Sequence, residues 1–420
     1  MTKKTFIIVA ILLLIPVFLL LIPDHTFTKK LHSEDPLDLT NLEVQYDGLP
    51  IVIDDPTLAG VDGPYIFRKK KKAEIIEVVS TVEGYKVVKR NLKDISDHTF
   101  TCLVDNKDAD EFTFQLSPNY NTPPSEYPLA EKLLAISDFE GNFDAFYSLL
   151  IANKVMDKAY NWTYGKGHLV VAGDMMDRGV NVTQCLWLIY KLEQAAEKVG
   201  GHVHFILGNH EIMNLHGVID YVEPKYLALA MKITKNKTPR NAYLSLMSRN
   251  QELVKWMQSK NILEKIGDIL FVHGGISEEL VSADLSLEKI NNTARELATR
   301  NYTLTPIKDK NIQLINGKKG PLWYRGMAIK YGRHYDKASF ETVQKVLKKY
   351  KVNHVVIGHT AVKSMQMDYD GGVVKINLLQ PKAKFTGKAK ALLVENGALY
   401  SVNDFGEKEN LYQITTVSSE

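Results

Sequence analysis

Five polar residues of metal-ligand type stand at the ends of five short apolar runs, each beside glycine. Leu133-Leu-Ala-Ile-Ser137 leads into Asp138-Phe-Glu-Gly-Asn142, and His168-Leu-Val-Val-Ala172 leads into Gly173-Asp174-Met-Met-Asp177-Arg178-Gly179. Val203-His-Phe-Ile-Leu207 leads into Gly208-Asn209-His210-Glu211. Asp268-Ile-Leu-Phe-Val272 runs into His273-Gly274-Gly275, and His354-Val-Val-Ile357 into Gly358-His359-Thr360. A single Asp or His after a strand is ordinarily a turn residue or a helix cap. Asp138, Asp174, Asn209, His273 and His359 in one repeated position are poorly explained that way, and they point to a metal site.

The elements that must position them follow from the same runs. Short stretches rich in Val, Ile and Leu and bounded by Gly read as buried strands. Residues 143–154 and 184–199 have helical patterning and the length of crossover helices. The expectation is a β-α-β-α-β unit with a parallel sheet covered on both faces. Ligands bind such sheets beyond the carboxyl ends of the strands, where Asp138, Asp174 and Asn209 would all lie.

Gly173-Asp174-x-x-Asp177-Arg178-Gly179, Gly208-Asn209-His210-Glu211, His273-Gly274-Gly275 and Gly358-His359 together resemble the signature set of the calcineurin-like metallophosphoesterases. The Asp-Arg-Gly and Asn-His-Glu forms are similar to those of its phosphoprotein phosphatase branch, and the whole resembles the bacterial Shewanella-like group. The resemblance covers roughly residues 133–403 in the family's motif order. It implies an α/β fold, a four-layer αββα sandwich, and two divalent metal ions, Mn first with Fe, Mg or Zn as alternatives. Asp174 matches the carboxylate that bridges the metals, Asp138 a ligand of the first, and Asn209, His273 and His359 ligands of the second. The chemistry implied is in-line attack on phosphorus by a hydroxide formed between the metals. His210 resembles the proton donor to the leaving oxygen, oriented by Asp177. Arg178 resembles a guanidinium that grips phosphate, with Asn209 beside it. Arg325, within Pro321-Leu-Trp-Tyr-Arg325-Gly326, resembles a second phosphate-gripping arginine.

One position departs from the pattern. The family usually has Asp-x-His-Gly at the first motif, whereas this chain has Asp138-Phe139-Glu140-Gly141. Glu140 as a ligand would bring hard oxygen and tilt the first site toward Mn or Mg and away from Zn. The other reading is that Glu140 hydrogen-bonds nearby and leaves the first metal loosely held.

The chain has 420 residues, 45% apolar and 24% charged, ordinary for a globular chain with a large core. A net charge of +3 gives no reason to expect nucleic acid as a partner. Two cysteines, Cys102 and Cys185, exclude a disulfide scaffold and a Cys-rich metal site. Residues 1–23 hold an uncharged run after Lys3 and Lys4, read as a transmembrane anchor with the catalytic part outside the cytoplasm. A cleaved export signal, leaving a soluble protein, is the alternative. Residues 24–43 read as a tether, 44–127 as a small β-rich module, and 128–420 as the catalytic domain. The basic run at 68–72 has two readings, a grip on acidic groups or a solvated hairpin edge. Residues 117–128, holding Pro118, Pro123 and Pro124, read as a linker.

Residues 212–265 read as a helical insertion on the ligand rim, placed to roof the site and set substrate choice. Downstream, 373–378, 391–394 and 399–402 read as strands, the last two joined by Glu395-Asn396-Gly397, and all are expected in a second sheet with the His273 and His359 strands. The favoured function is a phosphomonoesterase acting on a phosphorylated protein, at serine/threonine or tyrosine, or on a small phosphate ester. A nucleotide pyrophosphatase or phosphodiesterase of the diadenosine tetraphosphatase type is an alternative on the same metals. A non-catalytic binding protein with an impaired metal site is the third reading.

Overall fold

Alternation of buried and exposed residues builds the first strands of the structure, a computed structural model that describes residues 60–82, 84–300 and 307–413. The expected anchor, the tether and the start of the β-rich module lie outside the described residues. Strands β1 (Asp62–Lys69), β2 (Lys72–Thr81) and β3 (Gly84–Leu92) form an antiparallel meander, and β4 (Thr99–Leu103) pairs with β5 (Glu111–Gln115). In β5 the alternation is complete: Phe112 and Phe114 are buried while Glu111, Thr113 and Gln115 face out. The basic run turns out to be the β1–β2 turn, and Arg68 points inward to Glu252 at 2.8 Å.

The chain continues through β6 (Glu126–Tyr127), β7 (Lys132–Ile136), α1 (Phe143–Ala152), β8 (His168–Ala172), α2 (Val182–Glu197) and β9 (His202–Ile206). Then come α3 (Asn209–Leu215), α4 (Pro224–Thr234), α5 (Pro239–Leu246), α6 (Glu252–Gln258), β10 (Leu263–Ile266) and β11 (Ile269–Val272). Helices α7 (Glu278–Ser282), α8 (Leu287–Thr299), α9 (Lys310–Asn316) and α10 (Phe340–Tyr350) precede β12 (His354–Ile357). The last strands are β13 (Gln366–Asp368), β14 (Val373–Lys375), β15 (Lys390–Glu395), β16 (Ala398–Asn403) and β17 (Lys408–Gln413).

Two mixed six-stranded sheets result, ordered β17-β16-β15-β7-β8-β9 and β13-β14-β12-β11-β10-β6. Strands β7, β8 and β9 run parallel, as do β11 and β12, so five strand ends open on Asp138, Asp174, Asn209, His273 and His359. The sheets share one apolar core: Leu133, Ala135, Val170 and Ile206 from the first meet Ile266, Phe271, Val356 and Val374 from the second. The first sheet therefore has the second sheet on one of its two covered faces. Burial on both faces leaves β8 without alternation, all five residues being buried.

The β15–β16 hairpin corrects another expectation. Its turn is as read, with Asn396 at φ 51° and Gly397 at φ 73°, left-handed conformations that Asn-Gly adopts readily. Yet β15 pairs with β7, through Leu392 opposite Ala135 and Val394 opposite Leu133, so the hairpin extends the first sheet; only β14 joins the second. Strand periodicity identifies the strand and not its partner. The expected linker also contributes a strand, since β6 pairs with β10 and Asn261 donates to the Pro124 carbonyl at 2.9 Å.

Helix α2 ties the early strands to the first sheet. It packs on β9 and buries Trp187, whose indole N–H donates to the Pro64 carbonyl at 2.9 Å and whose ring stacks on Phe114 at 4.1 Å. Cys185 lies fully buried on the same helix, with its thiol pushed up by burial, a core residue and not a nucleophile.

Candidate metal centre

Three of the five strand-end residues, Asp138, Asp174 and His359, sit in left-handed turns. Asp138, Glu140, Asp174, Asp177, Arg178 and His359 all have φ between 47° and 75°. Asp and His adopt this region more readily than most residues; Glu and Arg do so rarely, and such strain gathers at functional sites. Glycines give the turns room. A Cβ on Gly358 would meet Ser137 Oγ at 2.6 Å and Asp138 Oδ2 at 2.7 Å, and one on Gly208 would collide with the Asp174 carboxylate.

Four side chains converge at the strand ends. His273 Nδ1 donates to the Ala172 carbonyl at 2.8 Å, which leaves Nε2 facing Asp174 Oδ2 and Asn209 Oδ1, each at 2.9 Å. A backbone acceptor on one ring nitrogen is the usual way of fixing a ligating imidazole's tautomer. The donor atoms of Asp174, His273 and His359 lie within 4.8 Å of one another. His359 Nε2 is buried and meets no protein hydrogen-bond partner among the described residues. A buried nitrogen lone pair beside a carboxylate, an amide oxygen and a second imidazole fits a divalent cation.

Asp138 adjoins this group but is held from several sides. Ser137 Oγ donates to its carboxylate, as do the His359 backbone N–H at 3.1 Å and Asn377 Nδ2 at 2.8 Å. Burial, with the Asp174 carboxylate nearby and His273 opposing, pushes the Asp138 carboxyl up to about 6. Burial also works against charge on Asp174, but His273 and His210 hold its carboxyl below the ordinary value. Burial disfavours charge on His273 and His210, and the aspartates still push both up to about 9. His359 is driven well down by burial, by Arg325 and by His273. Carboxylates packed this deeply require a counter-charge, and here imidazoles supply it within the protein.

A histidine–aspartate pair lies beside this group. His210 Nδ1 lies 2.5 Å from Asp177 Oδ2, and Nε2 faces the centre, 3.8 Å from Asp174 Oδ2. Arg178 is ion-paired with Glu140, its guanidinium sits 4.9 Å over the Tyr221 ring, and its backbone N–H donates to the Tyr221 carbonyl at 2.9 Å. The donor atoms of Glu140, Asp174 and His210 also lie within 4.8 Å of one another, so Glu140 stands between the arginine and the centre. Arg325 is buried behind His359 and donates to the His359 carbonyl at 2.9 Å. The Tyr335 hydroxyl accepts from the Arg325 backbone N–H at 2.9 Å.

Glu211 has a part that sequence reasoning missed. Fully buried, its carboxylate accepts from the backbone N–H groups of Asp174, Met175, Met176 and Gly208 at 2.7 to 3.1 Å, locking the two ligand loops together. Its place at the third position of α3, reaching back to the residue before the helix, is half of a capping box and was a readable signal. Asn377 and Tyr221 gave no such signal.

The model of the calcineurin-like phosphoesterase family matches residues 131–363. The Shewanella-like protein phosphatase 1 of Plasmodium berghei (strain Anka) is 30% identical over 236 residues, covering 56% of this chain and 63% of that protein. The Shewanella-like protein phosphatase 2 of Arabidopsis thaliana is 28% identical over 201 residues, covering 39% of this chain and 51% of that protein. Each match thus spans less than two thirds of the relative's length. The crystal structure of the cold-active protein-tyrosine phosphatase of a psychrophile, Shewanella sp., superposes with a TM-score of 0.70 at 28% identity, covering 84% of this chain and all of that one.

Proposed function

The chain belongs to the calcineurin-like phosphoesterase family, and from that premise we propose that it is a metal-dependent phosphomonoesterase of the phosphoprotein phosphatase type. Asp174, Asn209, His273 and His359 would hold one divalent cation, and Asp138 and Asp174, with Glu140 within reach, a second. Such cations, when bound, supply Lewis acidity toward phosphoryl oxygens and make water a better nucleophile at neutral pH. Manganese suits this oxygen-rich set, with Fe, Mg and Zn as alternatives.

The observation that carries the reading is the Asp177–His210 pair. With Nδ1 committed to the carboxylate, His210 presents Nε2 to the site and can pass a proton to a leaving oxygen. That service matters for an alcohol or phenol leaving from a monoester. A monoester dianion would compete with Glu140 for Arg178, which offers a planar fork to two phosphate oxygens. Likeness to a solved protein-tyrosine phosphatase makes phosphotyrosine peptides the first substrates to try, with phosphoserine and phosphothreonine peptides beside them.

The test is to strip the protein of metal, restore Mn, Mg, Zn or Fe singly, and follow an aryl phosphomonoester beside an aryl phosphodiester. Metal-dependent monoester turnover that disappears in Asp174→Asn and His210→Ala supports the reading. Turnover of the diester alone replaces it with a phosphodiesterase. Absence of turnover with every metal, while the protein still binds an ion, replaces it with a binding protein.

Location outside the cytoplasm on a membrane anchor rests on residues 1–23 alone; among the described residues, no helix is long and apolar enough to cross a membrane. Fractionation of the full chain and of a version lacking residues 1–23 tests it. Equal recovery of both in the soluble fraction would refute the anchor.

A further inference from the structure

We infer that Tyr243 and Asn214 are positioning residues for the proton donor, so that the inserted segment 212–265 supports proton delivery to the leaving group. The inference rests on the reading of His210 as that donor.

A single hydrogen-bonded chain connects them. Asn214 sits one helical turn after His210 on α3, so both project from one face. Its Nδ2 donates to Asp177 Oδ1 at 2.8 Å and to the His210 carbonyl at 2.8 Å. Both amide protons are then used, and Oδ1 is left to accept. Tyr243 Oη, on α5, donates to that oxygen at 2.5 Å. Turning the amide over would set Asn214 Oδ1 against the Asp177 carboxylate, so the direction of the chain is fixed by donor and acceptor count. Asp177 thereby has one oxygen held by Asn214 and the other by His210 Nδ1.

The packing makes this chain rigid. Asn214 is fully buried, and Tyr243, Asp177 and His210 are 4% exposed or less. Burial, with Asp177 nearby, pushes the Tyr243 phenol well up, which keeps it a donor. A buried network with every member satisfied holds one geometry, and deleting one link leaves a buried polar group unpaired. Without the Tyr243 hydroxyl, Asn214 would be held only through its donors; the amide could rock, and Asp177 with it. The His210 imidazole would then lose its fixed aim.

A change confined to proton delivery has a signature that general destabilisation lacks. An alkyl phosphate, such as a phosphoserine peptide, leaves as a poor leaving group and needs the proton; 2,4-dinitrophenyl phosphate does not. With the metal-loaded full chain, Tyr243→Phe and Asn214→Ala should lower kcat on the alkyl ester by about tenfold or more, the order seen when support of an active-site group is lost. KM should stay within about twofold, and kcat on dinitrophenyl phosphate should change little, as general-acid help matters less there. His210→Ala, measured in parallel, should show the same selectivity in larger degree. In the metal-free protein, the downfield proton resonance of His210 Nδ1, identified by its loss in His210→Ala, should shift or broaden in Tyr243→Phe.

If Tyr243→Phe and Asn214→Ala lower both substrates equally, or neither, while His210→Ala is selective, the inference is overturned and the phosphatase reading stands. If His210→Ala itself is unselective, His210 is not the proton donor and the inference falls with that role, while metal-dependent monoester turnover in the native sequence still carries the phosphatase reading. Tyr243→Phe keeps the ring, so a failure of Asn214→Ala to fold leaves the test intact.

Discussion

The carboxylate of Glu140 is ion-paired with the guanidinium of Arg178. The same carboxylate is within ligating range of Asp174 and His210. On the proposed function, Glu140 would have two competing partners, Arg178 and a first metal. Their side chains are 23% and 37% exposed, so solvent weakens the pair and a cation can win the carboxylate. Replacing Glu140 by His should shift metal preference toward zinc, read as metal content after dialysis against mixed ions. Glu140→Ala should tighten inhibition by inorganic phosphate several-fold by releasing Arg178. If both variants leave metal content and metal dependence unchanged, Glu140 is not a ligand.

Metal binding should be visible as stability. Manganese at about a hundred times its Kd should stabilise the native protein by ~2.7 kcal/mol, since the ligands are assembled only when folded. The melting temperature should rise with manganese in the native sequence and stay flat in His273→Ala, which removes the imidazole 2.9 Å from both Asp174 Oδ2 and Asn209 Oδ1. An equal rise in both would place the cation elsewhere.

At the far end of the same strands, His168 is buried beside His204 and His202, with His204 Nε2 3.0 Å from His168 Nδ1. Burial, then His204 and His202, push His168 down to about 3. The unfolded chain takes up this proton below its ordinary value near ~6.5, while the folded chain stays neutral there. Stability from His168 is therefore complete above about 6.5 and declines as pH falls toward 3. Urea titrations of metal-free protein should show unfolding free energy falling over that window, with a shallower slope in His168→Gln. Identical slopes would mean that His168 titrates normally.

Trp187 joins the early strands to α2 through its stack on Phe114 and its hydrogen bond to Pro64. Trp187→Ala should destabilise by ~3–5 kcal/mol, the range for emptying a buried aromatic site. Near-ultraviolet and far-ultraviolet signals should still change together if strands β1–β5 and the sheets unfold as one unit. A separate early transition in the native protein would show that the β-rich part folds independently.

Asp138, Asp174, Asn209, His273 and His359 were legible in the sequence because each lies within three residues of a strand end, and parallel strands deliver their ends to one edge whatever the side chains beyond. The Asn396-Gly397 turn was equally legible, since its backbone conformation is a local property of those two residues. Three relationships were decided only in three dimensions. Strand β15 pairs with β7 and not with the second sheet, because an alternating pattern shows a face to bury and not a neighbour to bond. Asn377 reaches Asp138 across 239 positions, and Tyr243 reaches Asn214 across 29. No periodicity links such residues. They meet because buried donors and acceptors must be satisfied by whatever the packed chain brings within reach.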